Sequence, residues 1–254
     1  MRLIQIAEDF WNIRGSFRIG GLLDIGTQAS LLRCADGRFV FLDSLSLAPD
    51  IMQQVEALTD GGKALAAVIN LHPFHTVHVR AMHAAFPASR HYGTQRHLDK
   101  FPDLPWAPQT SESAEAQAEF SAALDFSVPA GVDFIPANPN LHFSSVLAYH
   151  RSSGTLHVDD TLIYARLPGP LKHLGSRLAF HPTLARTLEK RAGAAADFRQ
   201  WAKDLIEGWQ DAKTLCAAHT HAWDGHNAAP LMQRVAKALD SVEKTLRRHE
   251  RRYG

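Results

Sequence analysis

The chain has 254 residues, of which 45% are hydrophobic and 21% charged, and a formal net charge of +1. These totals suit a globular chain that buries a sizeable core, and they give no electrostatic case for nucleic acid or a membrane surface as a partner. Cys34 and Cys216 are the only cysteines, too few for a disulfide framework or a zinc ribbon; both lie in apolar runs, so buried free thiols in a reducing compartment are expected.

The first nine residues, Met1 to Asp9, are too polar for a signal peptide. No run reaches the ~20 apolar residues of a membrane span, and the expected location is the cytoplasm. Residues 1–45 read as strands, with Phe10 to Ile19 and Gly21 to Ile25 as short segments punctuated by glycine. Ser30 to Cys34 and Arg38 to Leu42 flank Ala35-Asp36-Gly37, and Asp-Gly between apolar runs signals a hairpin. Pro49 to Thr59 predicts a helix with Ile51, Val55 and Leu58 on one face, ended by Gly61-Gly62. Ala64 to Ile69 is a short apolar run of the kind that forms a fully buried strand. Val79, Met82, Ala85 and Phe86 then fall at helical spacing as far as Pro87. A strand over Ala88 to Tyr92 and a short helix over Thr94 to Phe101 follow, and residues 106–122 read as a loop with a polar helical turn.

Strands return at Leu124 to Val128, Val132 to Ile135, Ser145 to His150, Thr155 to Val158 and Thr161 to Tyr164. Arg151-Ser152-Ser153-Gly154 fits a hairpin turn, and Pro168-Gly169-Pro170 a loop. A long helical region runs from Pro182 to Trp209 with a break near Gly193, Thr214 to Ala218 reads as the last buried strand, and a helix runs from Pro230 to Arg251. No Pro- or Gly-rich linker divides the chain, so one domain over residues 1–254 is expected.

Between the buried strand and the helix that follows it lies Asn70-Leu71-His72-Pro73-Phe74-His75-Thr76-Val77-His78. This is the carboxyl end of a strand, where α/β proteins place ligands. Neutral imidazole has a free ring nitrogen and suits a divalent transition metal; in a chain with 15 histidines, chance clustering is the alternative. His72 precedes Pro73 and is held extended, which suits a ligand at a strand end and equally an ordinary loop. His75 is the best ligand candidate, against a helix-start histidine bonded to backbone. His78, on the first helical turn, faces either the site or solvent. Asp159 and Asp160 are adjacent, and successive side chains on a strand alternate, so one of them is expected to be exposed or to cap a turn. His219 and His221 alternate onto one face, so either could reach a site.

The order of these features resembles the metallo-β-lactamase-like fold superfamily, in a divergent branch with a degenerate H-x-H-x-D-H motif. His72-Pro73-Phe74-His75-Thr76-Val77-His78 stands where that motif opens a helix. His142, before Ser144 to Tyr149, is similar to the family's lone histidine, although Leu141 falls in the expected register. His157-Val158-Asp159-Asp160-Thr161-Leu162 resembles a Gly-Asp-Thr-Leu segment, with Asp160 as the bridging aspartate and Asp159 in place of glycine. Ala217-Ala218-His219-Thr220-His221 resembles the final histidine turn. The likeness spans residues 10 to 225. Where the family carries a metal-binding aspartate in its first motif, this chain has Thr76 or Val77.

The resemblance implies an α/β (α+β) fold, a four-layer αββα sandwich. It implies zinc or iron, as one or two divalent ions, held by His72, His75, His142, Asp160, His219 and His221, with Asp160 and His78 in catalytic roles. A bound ion of this kind brings the pKa of water to about 7 and polarises the bond under attack. The absent aspartate argues for a single-metal site, or one rearranged around His78 or Asp159. The expected function is hydrolysis of an ester, thioester, amide or phosphoester in a small-molecule substrate. The alternative is a metal-free, catalytically inactive member of the fold that binds a small molecule or a protein. No G-x-S-x-G elbow, G-x-G-x-x-G or P-loop is present. His83, His91, His97, His150, His173, His181, His226 and His249 read as structural or surface residues. The basic tail Arg247 to Arg252 reads as a solvated end that complements its helix dipole.

Overall fold

The computed structural model describes residues 1–19, 23–166, 176–218, 222–223 and 230–254. The chain divides into two compact units, Met1–Asp125 with His150–Ser153, and Phe126–Tyr149 with Gly154–Gly254.

The first unit is built on a six-stranded sheet of order β1-β2-β5-β6-β7-β8. Its strands are β1 (Arg2–Ala7), β2 (Phe10–Gly15), β5 (Thr27–Arg33), β6 (Phe39–Leu42), β7 (Leu65–Ile69) and β8 (Arg90–Tyr92). A small ribbon, β3 (Arg18–Ile19) with β4 (Leu23–Asp24), branches between β2 and β5. The Asp36-Gly37 turn joins β5 to β6 antiparallel, with Gly37 at a φ of 82°. From β6 onward the pairing is parallel, and each parallel step needs a crossover, which α1 (Pro49–Leu58) and α2 (Val79–Ala85) supply. Helix α1 starts with Pro49 in its first turn and ends where Asp60, Gly61 and Gly62 take up positive φ. Its Ile51 and Val55 are buried with Phe39, Phe41 and Val68 of the sheet, each worth ~1.5–3 kcal/mol over exposure. Helices α3 (Gln95–Lys100) and α4 (Ala114–Glu119) complete this unit. Cys34 is half-buried and Cys216 fully buried, and neither is in a disulfide, so the expectation of two buried thiols is met only by the second.

The second unit carries most of a five-stranded sheet of order β15-β14-β11-β10-β9. Its strands are β9 (Leu124–Ser127), β10 (Leu147–His150), β11 (Thr155–Val158), β14 (Thr214–Ala217) and β15 (Ala222–Trp223). A separate hairpin pairs β12 (Leu162–Arg166) with β13 (Ser176–Phe180). Helices α5 (Leu184–Thr187), α6 (Ala194–Gly208) and α7 (Leu231–Tyr253) close its core, where Phe198, Trp201 and Leu205 of α6 and Val235 and Leu246 of α7 pack with Leu147, Leu156 and Leu215.

The structure departs from several local expectations. Val132 to Ile135 forms no strand: Asp133 N–H bonds to Thr187 O, and Val132 makes only an isolated bridge with Leu188. Neighbouring Gly131, at a φ of 71°, lies so close to α6 that a Cβ there would meet Ala194 O at 2.0 Å. β10 starts at Leu147 rather than Ser145, because Ser145 N–H is taken by Thr161 Oγ1 at 3.1 Å. β13 was not expected; its polar start at Ser176-Arg177 hides the strand pattern, and its partner β12 defines it. The expected break near Gly193 is present: the region from Pro182 to Trp209 is two helices, and Gly193, at a φ of 82°, opens the second. Thr214 to Ala217 is not the last strand, since β15 pairs with it antiparallel.

Candidate functional site

In the first unit, the end of β7 is held from both neighbouring strands. Asn70 N–H and Nδ2 both donate to Tyr92 O, at 2.9 and 3.0 Å. On the other side, Asp43 follows β6 in the left-handed region, φ 64°, and its buried carboxylate accepts from Leu71 N–H at 2.8 Å. A short acidic side chain tolerates that conformation better than most. Asp43 thus shapes the histidine loop. Its signal in the sequence was an Asp-Ser pair closing an apolar run.

His72 is fully buried and its ring stacks on that of His75, centroids 4.1 Å apart and planes at 20°. Phe74 N–H donates to His72 Nδ1 at 3.1 Å, which leaves the ring proton of neutral His72 on Nε2. His75 is half-buried. Its backbone carbonyl accepts from His97 Nε2 at 3.3 Å, while Thr94 N–H donates to His97 Nδ1 at 3.2 Å. Those two bonds define a single tautomer of His97, and burial pushes its pKa down to about 3. His78 sits at the start of α2, half-buried, with Nδ1 2.9 Å from Ser46 Oγ. Its pKa is lowered by burial first and by the nearby His75 second. Thr76 is buried and its hydroxyl accepts from the Lys100 ammonium at 2.6 Å, while Val77 is exposed. An ammonium therefore contacts one of the two residues matched to the family's aspartate.

In the second unit, β11 ends at Val158, and Asp159 and Asp160 lie in the turn beyond it, both 2% exposed. The expected alternation fails because it holds only along a strand, and here the chain has already turned. The register slip of His142 does not keep it from Asp160: Nδ1 lies 3.5 Å from Asp160 Oδ2. His142 Nε2 donates to Pro139 O at 2.7 Å, so in a neutral ring Nδ1 carries the lone pair. Lone pair and carboxylate oxygen then lie 3.5 Å apart, both of them donors a metal ion accepts. A ring N–H bonded to a backbone carbonyl, with the other nitrogen presented, is how metal-binding histidines are oriented. His157 is also buried, paired in register with Cys216. His219 and His221, with His173 and His226, lie outside the described residues.

The donors fit a divalent transition metal by their chemistry, since imidazole and carboxylate are ligands such ions take. His72 fits on one condition: ligation through Nε2 moves its proton to Nδ1 and breaks the bond from Phe74.

The chain has the metallo-β-lactamase-like fold. It is similar to a metallo-β-lactamase from Erythrobacter litoralis whose structure has β-mercaptoethanol in the active site, at 15% identity and a TM-score of 0.59 over 95% of this chain and 96% of that one. It is similar to FIM-1 from Pseudomonas aeruginosa in the mono-zinc form, at 9% identity and a TM-score of 0.60 over 95% of each chain. A metallo-β-lactamase from Hirschia baltica matches at 13% identity and a TM-score of 0.59, over 94% of this chain and 97% of that one. No protein-family model matches the chain. No curated protein matches it. Among the described residues no helix is long and apolar enough to cross a membrane.

Proposed function

We propose that the chain is a metal-dependent hydrolase of the metallo-β-lactamase-like type, acting in the cytoplasm on an ester, thioester, amide or phosphoester of a small molecule. The two units then act as one functional domain over residues 1–254. The observation that carries this reading is His142 Nδ1 facing Asp160 Oδ2 at 3.5 Å while its Nε2–H is committed to a backbone carbonyl. His72, His75, His142, Asp160, His219 and His221 are the donors proposed for the ion, zinc or iron.

When bound, the ion supplies an acidified water and a polarised substrate oxygen. His97 holds the backbone of His75, and Pro139 O orients His142. His78, kept neutral by burial and bound to Ser46 through Nδ1, has Nε2 left to take or give a proton. The Lys100 charge at Thr76 opposes a second cation in that part of the site, which favours one ion over two.

The second reading is a metal-free member of the fold that binds a small molecule or a protein. The Phe74 bond to His72 Nδ1 favours it, because that bond stabilises the tautomer that does not ligate through Nε2. Hydrolysis of a panel of esters, thioesters and phosphodiesters separates the two. Loss of metal and turnover together in His75→Ala supports the hydrolase, and a metal-free wild type without turnover supports the binding module.

A further inference from the structure

The second unit contains a cleft of about 650 Å³ between α5, the loop around Asn138, and the last turns of α7. Arg186 and Lys190 line one side, and Arg248 and Arg252 the other. All four are exposed, and among the described residues none has a carboxylate within ion-pair distance.

The acids nearby are engaged elsewhere. Glu243 receives Arg199 and Arg247, Glu250 receives Arg199, and Glu189 receives Arg191. Helix α7 thus neutralises one of its faces and leaves the other cationic. Arg248 and Arg252 are like charges at i and i+4, which costs the helix a few tenths of a kcal/mol. The helix dipole compensates the α7 pair, but it does not account for Lys190, which lies beyond α5. Four cations, from α5, the segment after it and α7, focus a positive potential into one concavity. Three guanidinium forks and a flexible ammonium match phosphate oxygens. The Tyr253 ring at the same cleft, with the Arg252 guanidinium 5.2 Å from its centroid, adds a flat aromatic wall. His249 gives the floor rigidity, since its Nε2 donates to Glu189 O at 2.9 Å.

We propose that this cleft binds a small anion carrying two or more phosphates. Its size lies in the ~300–1,000 Å³ range of small-molecule sites, and its charge exceeds what a single phosphate needs. The proposal is independent of the metal reading.

Calorimetric titration of the whole chain, after dialysis against a chelator, tests it with sodium tripolyphosphate, ATP and orthophosphate as probes. The expected result is tripolyphosphate binding with Kd of about 10–100 μM, and orthophosphate at least ~10-fold weaker. ATP binding ~10-fold tighter than tripolyphosphate identifies a nucleotide, using the Tyr253 wall, and equal affinity identifies a bare polyphosphate. Arg248→Gln and Arg252→Gln, both exposed, are each expected to weaken tripolyphosphate about 10-fold, while Arg247→Gln, outside the cleft, stays within about 2-fold. Absence of binding at about 1 mM, or equal weakening by Arg247→Gln, overturns the proposal. So does binding of a single-stranded oligonucleotide about 100-fold tighter than tripolyphosphate, which points to an extended polymer.

Discussion

The imidazole of His97 donates from Nε2 to the backbone carbonyl of His75 across 3.3 Å, and its Nδ1 is held by Thr94 N–H. A ring from α3 thereby positions the backbone of a proposed ligand 22 residues earlier. Outer partners of this kind are worth ~10–100-fold in metal affinity. His97→Phe keeps most of the volume and removes both bonds. Metal affinity, measured by chelator competition, is expected to fall by about 10-fold or more. An unchanged affinity would show that the His97 bond serves the fold alone.

The Lys100–Thr76 contact sets the expected number of ions. Thr76→Asp alone restores a carboxylate, but Lys100 is placed to pair with it, so no second ion is gained. Thr76→Asp combined with Lys100→Met is expected to raise the metal content from about one to about two equivalents. Elemental analysis of both variants reads this directly, and a second ion in the single variant would contradict the role given to Lys100.

The contrast between what was legible and what was not follows from the range of each interaction. Helix α1, β7 and the Asp36-Gly37 hairpin were readable because glycine, proline and apolar spacing act within a few residues. The histidine run was visible as a run. The parts played by His97 and Asp43 were not, since each acts through a backbone group 22 or 28 residues away. His97 was assigned to the structural histidines for lack of any local sign. The burial of both Asp159 and Asp160 was missed for a related reason: a strand's last residue has to be known before alternation can be applied past it.

Asp43 is expected to be a costly position. Asp43→Ala loses the bond to Leu71 N–H, ~1–3 kcal/mol, and places a less tolerant residue at positive φ, ~1–2 kcal/mol more. Asp43→Gly loses the same side-chain interactions without the cost at positive φ. Urea unfolding is therefore expected to rank wild type above Gly and Gly above Ala by about 1 kcal/mol. Equal stability of the two variants would remove the backbone share of this cost.

Acid should weaken the first unit through buried neutral histidines. His150 is nearly inaccessible, packed against Phe10 with Nδ1 2.9 Å from Ser153 Oγ, and burial pushes its pKa to about 4. His83, stacked on His91 at 3.7 Å, is pushed to about 4 as well, by burial first and then by His91 and Arg80. A folded pKa below the unfolded value of about 6.5 means that the unfolded chain binds the proton more tightly. The stabilisation is therefore complete above pH ~6.5 and is lost as pH falls towards ~4. In chelator, wild-type stability should drop across that window, and His150→Gln should reduce the drop by on the order of 2 kcal/mol. A drop of the same size in the variant would assign the acid sensitivity to other groups.

The metal content of the purified chain is the most direct measurement of all. Elemental analysis after dialysis against zinc and, separately, ferrous iron should find about one equivalent per chain, and none in His75→Ala or Asp160→Asn that remain folded by circular dichroism. A wild type with no stoichiometric zinc, iron or manganese, or variants that keep their ion, would contradict a metal held jointly by the histidine loop and Asp160.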